Sequence, residues 1–214
     1  MSQPNVPTVQ STLETIDVPP LDHAAHTHQT IDAYLRQLSG TVDALSREEI
    51  AAAVDLLLQA GQDGRRIYLF GNGGSAATAS HMANDLNKQC CMPGKRRFRA
   101  ITLNDNVPTM MAWANDQDYA DVLLEQLSNH LEPGDVLVVI STSGNSPNIV
   151  KGLEFARQRG AHTIGFTGRH GGALGDSVDC CVHVPSDDIG QQEDVHLVLN
   201  HVIGTAIRAR LRAE

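Results

Sequence analysis

Three short apolar runs constrain this chain more than any other feature: Ile67-Tyr68-Leu69-Phe70, Val136-Leu137-Val138-Val139-Ile140 and Thr163-Ile164-Gly165-Phe166. Each is too short for a helix and none is broken by alternating polar residues. They therefore read as strands buried on both faces. The first two are followed by a small-residue loop and then by a helical pattern, and residues 99–103 and 180–184 supply two weaker strand candidates. Strands alternating with helices predict a three-layer α/β fold, a parallel sheet with right-handed crossovers. Upstream, Ile31, Leu35 and Leu38, then Val54, Leu57 and Leu58, have helical spacing, with Ser46 and Glu49 set as a cap for the second helix. Downstream, Val195, Leu199, Val202, Ile203 and Ile207 predict a long C-terminal helix that ends in the basic run 208–212, where cations complement the helix dipole. Residues 1–27, with Pro4, Pro7, Pro19 and Pro20, read as a flexible N-terminal arm, and 28–214 as a single domain.

Charge narrows the partners. With 16 basic and 25 acidic residues, 16 − 25 = −9, the chain is unsuited to capturing nucleic acid or an anionic membrane directly. There is no apolar run of membrane-spanning length and no signal-peptide pattern, so a cytoplasmic location is expected. The cysteines form two adjacent pairs, Cys90-Cys91 and Cys180-Cys181, which match neither a zinc-ribbon nor a redox spacing and are expected as reduced thiols.

Two loops carry the chemistry. After the first strand comes Gly71-Asn72-Gly73-Gly74-Ser75, directly before a small-residue helix start. Glycines let backbone N–H groups approach a ligand, and a helix N-terminus adds positive potential. The loop lacks the last glycine of the dinucleotide fingerprint and the lysine of a P-loop. After the second strand, Ser141, Thr142, Ser143 and Ser146 bring four hydroxyls together ahead of Pro147. Capping a helix needs one hydroxyl, so four predict an exchangeable phosphate monoester. Both loops fall at carboxyl ends of strands, where open α/β sheets bind ligands.

The pairing of Gly-Asn-Gly-Gly-Ser-Ala-Ala-Thr-Ala-Ser-His with Ile-Ser-Thr-Ser-Gly-Asn-Ser-Pro-Asn resembles the sugar-isomerase (SIS) domain, and the phosphoheptose isomerase group within it. The likeness runs from about residue 30 to 211, through Ala114-Asn115-Asp116 and Glu193-Asp194-Val195-His196 to His201. It implies a flavodoxin-like sheet of five parallel strands, a homotetramer with active sites at subunit interfaces, and sedoheptulose 7-phosphate as substrate. It also implies a zinc site on His81, Asp85, Glu193 and His201, with Asp85 and His201 exchanging protons. Asn72, Gly73, Gly74, Ser75, Asp105, Glu193 and the 141–146 hydroxyls would hold the sugar phosphate. Two of these positions depart from the family, which has glutamate where Asp85 stands and glutamine where Glu193 stands. They keep open a second reading, a non-catalytic phosphosugar-binding protein of the replication-initiator-associating type, and a third, an isomerase of another sugar phosphate.

Independently of the resemblance, His81 and Asp85 are one helical turn apart and share a face. Glu193 and His201 lie about 80° apart and ~12 Å along one helix, a long reach to a single ion unless Glu193 precedes the helix or opens it. His196 is turned about 140° from His201 and points elsewhere. His23, His26 and His28 are assigned no site. Met110, Met111 and Trp113 are expected in core or interface, and Lys88 with residues 95–99 forms a basic patch suited to guiding an anion or to a solvated loop.

Overall fold

A computed structural model describes residues 23–213. The chain divides into two compact units, Met1–Arg36 and Gln37–Glu214. Of the first, the described part is helical, and its Ile31 and Leu35 are 50% and 57% exposed. The helix that contains it, α1 (His23–Asp43), starts inside the stretch expected as an arm; the rest of that stretch, with Pro4, Pro7, Pro19 and Pro20, lies outside the described residues.

The second unit is built on five parallel strands, β1 (Arg66–Gly71), β2 (Arg99–Thr102), β3 (Val136–Ser141), β4 (His162–Thr167) and β5 (Cys180–His183), in the order β2-β1-β3-β4-β5. All three strong strand candidates and both weak ones are present. On β1, β3 and β4 every residue is buried apart from the first of β1 and of β4, as two covered faces require. Alternate side chains go to opposite layers. Ile67, Leu69, Val136, Val138, Ile140, Ile164 and Phe166 pack with α2 (Arg47–Asp63), α3 (Gly74–Asn84) and α8 (Ile189–Ala213). Tyr68, Phe70, Leu137 and Val139 pack with α5 (Val122–His130) and α6 (Pro147–Gln158).

Helix ends follow their local chemistry. Ser46 Oγ accepts the Glu49 N–H at 3.2 Å, as the cap requires, whereas the Glu49 carboxylate leaves its own helix and accepts the His183 N–H at 2.9 Å. On α8, Val195, Leu199, Ile203 and Ile207 are fully buried, and Val202, one position off that stripe, is 42% exposed. The basic run lies elsewhere than expected for a guiding patch. Arg96 and Arg99 donate to the Gln62 and Gly64 carbonyls, closing the C-terminus of α2 at the amino ends of the strands, opposite the loops. Met110 and Trp113 pack against the second core layer, but α4 (Val107–Asp116) has no buried residue and Met111 is 66% exposed. All four cysteines are free, and burial pushes the Cys90 and Cys180 thiols up to about 11. Among the described residues no helix is long and apolar enough to cross a membrane.

Candidate active site

The strand order reverses direction between β1 and β3, so the loops that follow them stand at the switch point, where open α/β sheets bind ligands. Gly71 is obligatory there, because a Cβ would stand 2.6 Å from the Ser75 backbone. Gly73 turns the chain at φ +53° with nothing within 4 Å of where a Cβ would be, and Gly74 opens α3. The loop is held from both sides. Asn104 makes two hydrogen bonds to the Gly71 peptide (3.1 and 2.8 Å), and the Asn72 amide pairs with that of Asn148 (3.1 and 2.8 Å) while accepting from the Tyr119 hydroxyl at 2.9 Å. Ser75 is buried behind it.

In the second loop, Ser141 Oγ and Ser143 Oγ accept backbone N–H groups of Gly144 and Asn145, each at 3.2 Å. These bonds use oxygen lone pairs and leave both hydroxyl hydrogens uncommitted. Ser146 sits at the N-cap of α6 without a side-chain capping bond, and Thr142 Oγ1 makes no hydrogen bond among the described residues. Four O–H donors thus lie on the segment that leads from β3 into the dipole-positive end of α6.

His81, Asp85 and His201 come together through helix packing. α3 and α8 run side by side in the same direction, with Glu193 against Gly74, His201 against His81, and Gly204 against Gln89 and Cys90. α3 passes into a wider π-helical turn, Asp85–Gln89, at the residue that carries the carboxylate, and such turns recur at functional sites. His81 Nε2 and His201 Nε2 are 3.3 Å apart, and Asp85 Oδ2 is 3.5 and 3.7 Å from them. Asp85 is 7% exposed, its Oδ2 accepts from Asn200 Nδ2 at 3.0 Å and its Oδ1 from Asn84 at 3.3 Å, while both imidazoles reach solvent.

Tetrahedral zinc with bonds of about 2.0–2.1 Å needs donor atoms about 3.3–3.4 Å apart, and two imidazoles and a carboxylate are ordinary ligands. His81, Asp85 and His201 therefore suit such an ion in donor type and spacing, and the shorter aspartate still reaches. Glu193 stands outside this group. α8 begins at Ile189, so Glu193 is already past the first turn and separated along the axis from His201, and its carboxylate oxygens lie about 2.8–2.9 Å from where a Gly74 Cβ would be. Asp105 is also apart, accepting from Ser80 Oγ at 2.7 Å on the outer side of α3. His196, turned away as its spacing predicted, is fully buried and bonds the Thr167 carbonyl through Nε2 at 3.2 Å. Burial lowers its pKa to about 4, so the ring is neutral.

Asn84, Asn104, Tyr119, Asn148 and Asn200 have no counterpart in the sequence reading. Asn148 closes the second loop motif and Asn200 precedes His201, so only their neighbours in sequence marked them.

The SIS domain family model matches residues 32–168. A phosphoheptose isomerase of Rhodospirillum rubrum is 36% identical over 154 residues, covering 72% of this chain and 81% of that protein. The chain belongs to the SIS-domain phosphoheptose isomerase family. Another member, from Geobacter sulfurreducens, is 36% identical over 184 residues, 85% of this chain and 97% of its own. The solved phosphoheptose isomerase GmhA from Neisseria gonorrhoeae superposes with a TM-score of 0.73 at 30% identity, over 87% of this chain and 96% of that one. Family membership makes this chain a sugar-phosphate isomerase and accounts for the sheet and both loops.

Proposed function

We propose that the protein converts sedoheptulose 7-phosphate to D-glycero-D-manno-heptose 7-phosphate through an enediol, with the phosphate in the 141–146 loop and the proton transfers on Asp85 and His201. The observation that carries this is the convergence of His81, Asp85 and His201 within 3.3–3.7 Å on helices that flank the first loop. Aldose–ketose isomerisation takes a proton from C1 of the ketose and returns one to C2, so it needs two proton-transfer groups close enough to serve adjacent carbons. Asp85, steadied by Asn200, is the acceptor at carbon, and His201 carries protons at the neighbouring oxygens. The uncommitted hydroxyl hydrogens of Ser141, Thr142, Ser143 and Ser146 suit the acceptor oxygens of a phosphate. Asn72, Gly73 and Gly74 face the sugar from the first loop, Ser75 behind them belongs to the phosphate side, Glu193 hydrogen-bonds the sugar hydroxyls beside Gly74, and Asp105 stands at the rim. His81, Asp85 and His201 would hold zinc, which when bound supplies Lewis-acid polarisation of the carbonyl and hydroxyl oxygens.

The domain in this reading is residues 28–214, working in the cytoplasm as a homotetramer with active sites at subunit interfaces. The unburied α4, with Val107 53% and Met111 66% exposed, supports a partner subunit on that side.

Proton NMR of sedoheptulose 7-phosphate in D₂O tests the proposal, with chelator-treated protein before and after zinc is restored. The aldose signal and solvent deuterium at the exchanging carbon are expected only with metal. Asp85→Asn and His201→Ala should each lower turnover about 10³-fold with unchanged circular dichroism. Retained turnover in either variant removes that residue from the mechanism, and saturable sugar-phosphate binding without any conversion replaces the isomerase by a binding protein.

A further inference from the structure

The side chain of Asn72 is oriented by a chain of hydrogen bonds with one solution. Asn148 is 2% exposed, and its Oδ1 accepts the backbone N–H of Ile149 at 3.0 Å. A backbone N–H can only donate, so that atom of Asn148 is its oxygen. Facing it at 3.1 Å must therefore be the nitrogen of Asn72, and facing the Asn148 nitrogen at 2.8 Å must be the Asn72 oxygen. The Tyr119 hydroxyl, 2.9 Å from the same oxygen, is then a donor. Asn72 Oδ1 has two lone pairs and accepts two hydrogen bonds, so it has no capacity left for a ligand. Nδ2 has two hydrogens and spends one on Asn148, which leaves one. The Tyr119 turn (Tyr119–Asp121) is itself tied to α6, because Lys151 donates to Asp121 at 2.8 Å.

We propose that Asn148 and Tyr119 are positioning residues that lock the Asn72 amide so that it offers the substrate a single N–H donor and no acceptor. The inference rests on the isomerase reading and sharpens it: the atom that meets Asn72 is an oxygen with a free lone pair, a carbonyl, enediolate or hydroxyl oxygen. An ammonium group at that position, as in an amino sugar, finds no partner. A donor fixed before the reaction stabilises negative charge on an enediolate oxygen more than it stabilises the ground-state sugar, so losing the lock lowers kcat more than it raises KM.

The experiment is steady-state isomerisation of sedoheptulose 7-phosphate by the zinc-loaded full chain and two variants. Tyr119→Phe removes one of the two donors to Asn72 from a half-exposed residue, and a fall in kcat of about 5-fold with KM within twofold and an unchanged melting temperature is expected. Asn148→Asp sets oxygen against oxygen, and a fall of about 100-fold is expected, largely in kcat. If Asn148→Asp does not fold, Tyr119→Phe decides alone. Parental kcat in Tyr119→Phe, or a rise confined to KM, overturns the inference while the isomerase reading stands. A wild-type protein that does not isomerise the sugar overturns that reading and this inference with it.

Discussion

Gly73 and Gly144 both bend a loop at the carboxyl end of a strand, at φ +53° and +63°. Their surroundings differ. A Cβ on Gly73 would meet nothing within 4 Å, whereas one on Gly144 would stand 1.9 Å from the Gly171 carbonyl oxygen. The first glycine leaves open space where a ligand's atoms can approach the backbone; the second lets two chain segments pack. Side chains show the complementary contrast. In the first loop the Asn72 oxygen is saturated by protein donors, and in the second the hydroxyl hydrogens are left free. A glycine-rich loop is thus not one device: here one loop presents fixed backbone and a single amide, and the other presents hydroxyls on a braced turn.

The largest effect should come from filling the braced turn. Gly144→Ala combines a backbone clash with positive-φ strain, a loss of at least about 3 kcal/mol, which lowers the melting temperature by roughly 10 °C. A melting temperature within 2 °C of the parent would break the contrast at its strongest point. Next is the anchor behind that turn, where His196 joins α8 to the Thr167 carbonyl on β4. Its folded pKa is lowered to about 4 from 6.5, so the unfolded chain binds the proton first. The stability held above pH 6.5 therefore declines as pH falls from 6.5 towards 4, by about 2 kcal/mol between pH 7.5 and 5 from this group alone. Urea unfolding of the protein and of His196→Leu at both pH values measures it, and equal pH dependence in the two would remove His196 as the cause.

Smaller effects should separate ligand contact from folding. Thr142→Val and Ser146→Ala remove hydroxyls that make no hydrogen bond among the described residues, so each should weaken sugar-phosphate binding about 10-fold by calorimetry while the melting temperature stays put. A drop in melting temperature with unchanged affinity would reverse their assignment. The mildest change to the fold is Gly73→Ala, with conformational strain of about 1–2 kcal/mol and no clash. A fall of a few degrees accompanied by weaker sugar binding is expected, and a collapse like that of Gly144→Ala would show that the two glycines do the same work.

Much of this was legible in the chain. The buried strands announced themselves because a parallel sheet covered on both sides tolerates only apolar runs, and the loops did so because small residues between a strand and a helix have few other uses. The pairing of His81 with Asp85 followed from one turn of helix. The reading failed where a residue's destination depended on distant segments. The basic run at 95–99 reads in one dimension as a guide for anions or as a solvated loop, and it is neither at Arg96 and Arg99: β2 begins beside the end of α2, and these two close that helix. Glu193, which the family resemblance puts on the metal, stands beside Gly74, in keeping with the long reach that its spacing from His201 along one helix gives.

By itself, then, the sequence determined the elements, their alternation and the chemistry of each loop, because these depend on contacts within about one turn or one strand. The tertiary structure alone decided which loops became neighbours, the packing that brings His81 and His201, 120 positions apart, to 3.3 Å, and that Asn148 orients Asn72 from 76 positions away. Such meetings are set by the order of strands in the sheet and the direction in which two helices lie together, and no local propensity encodes either.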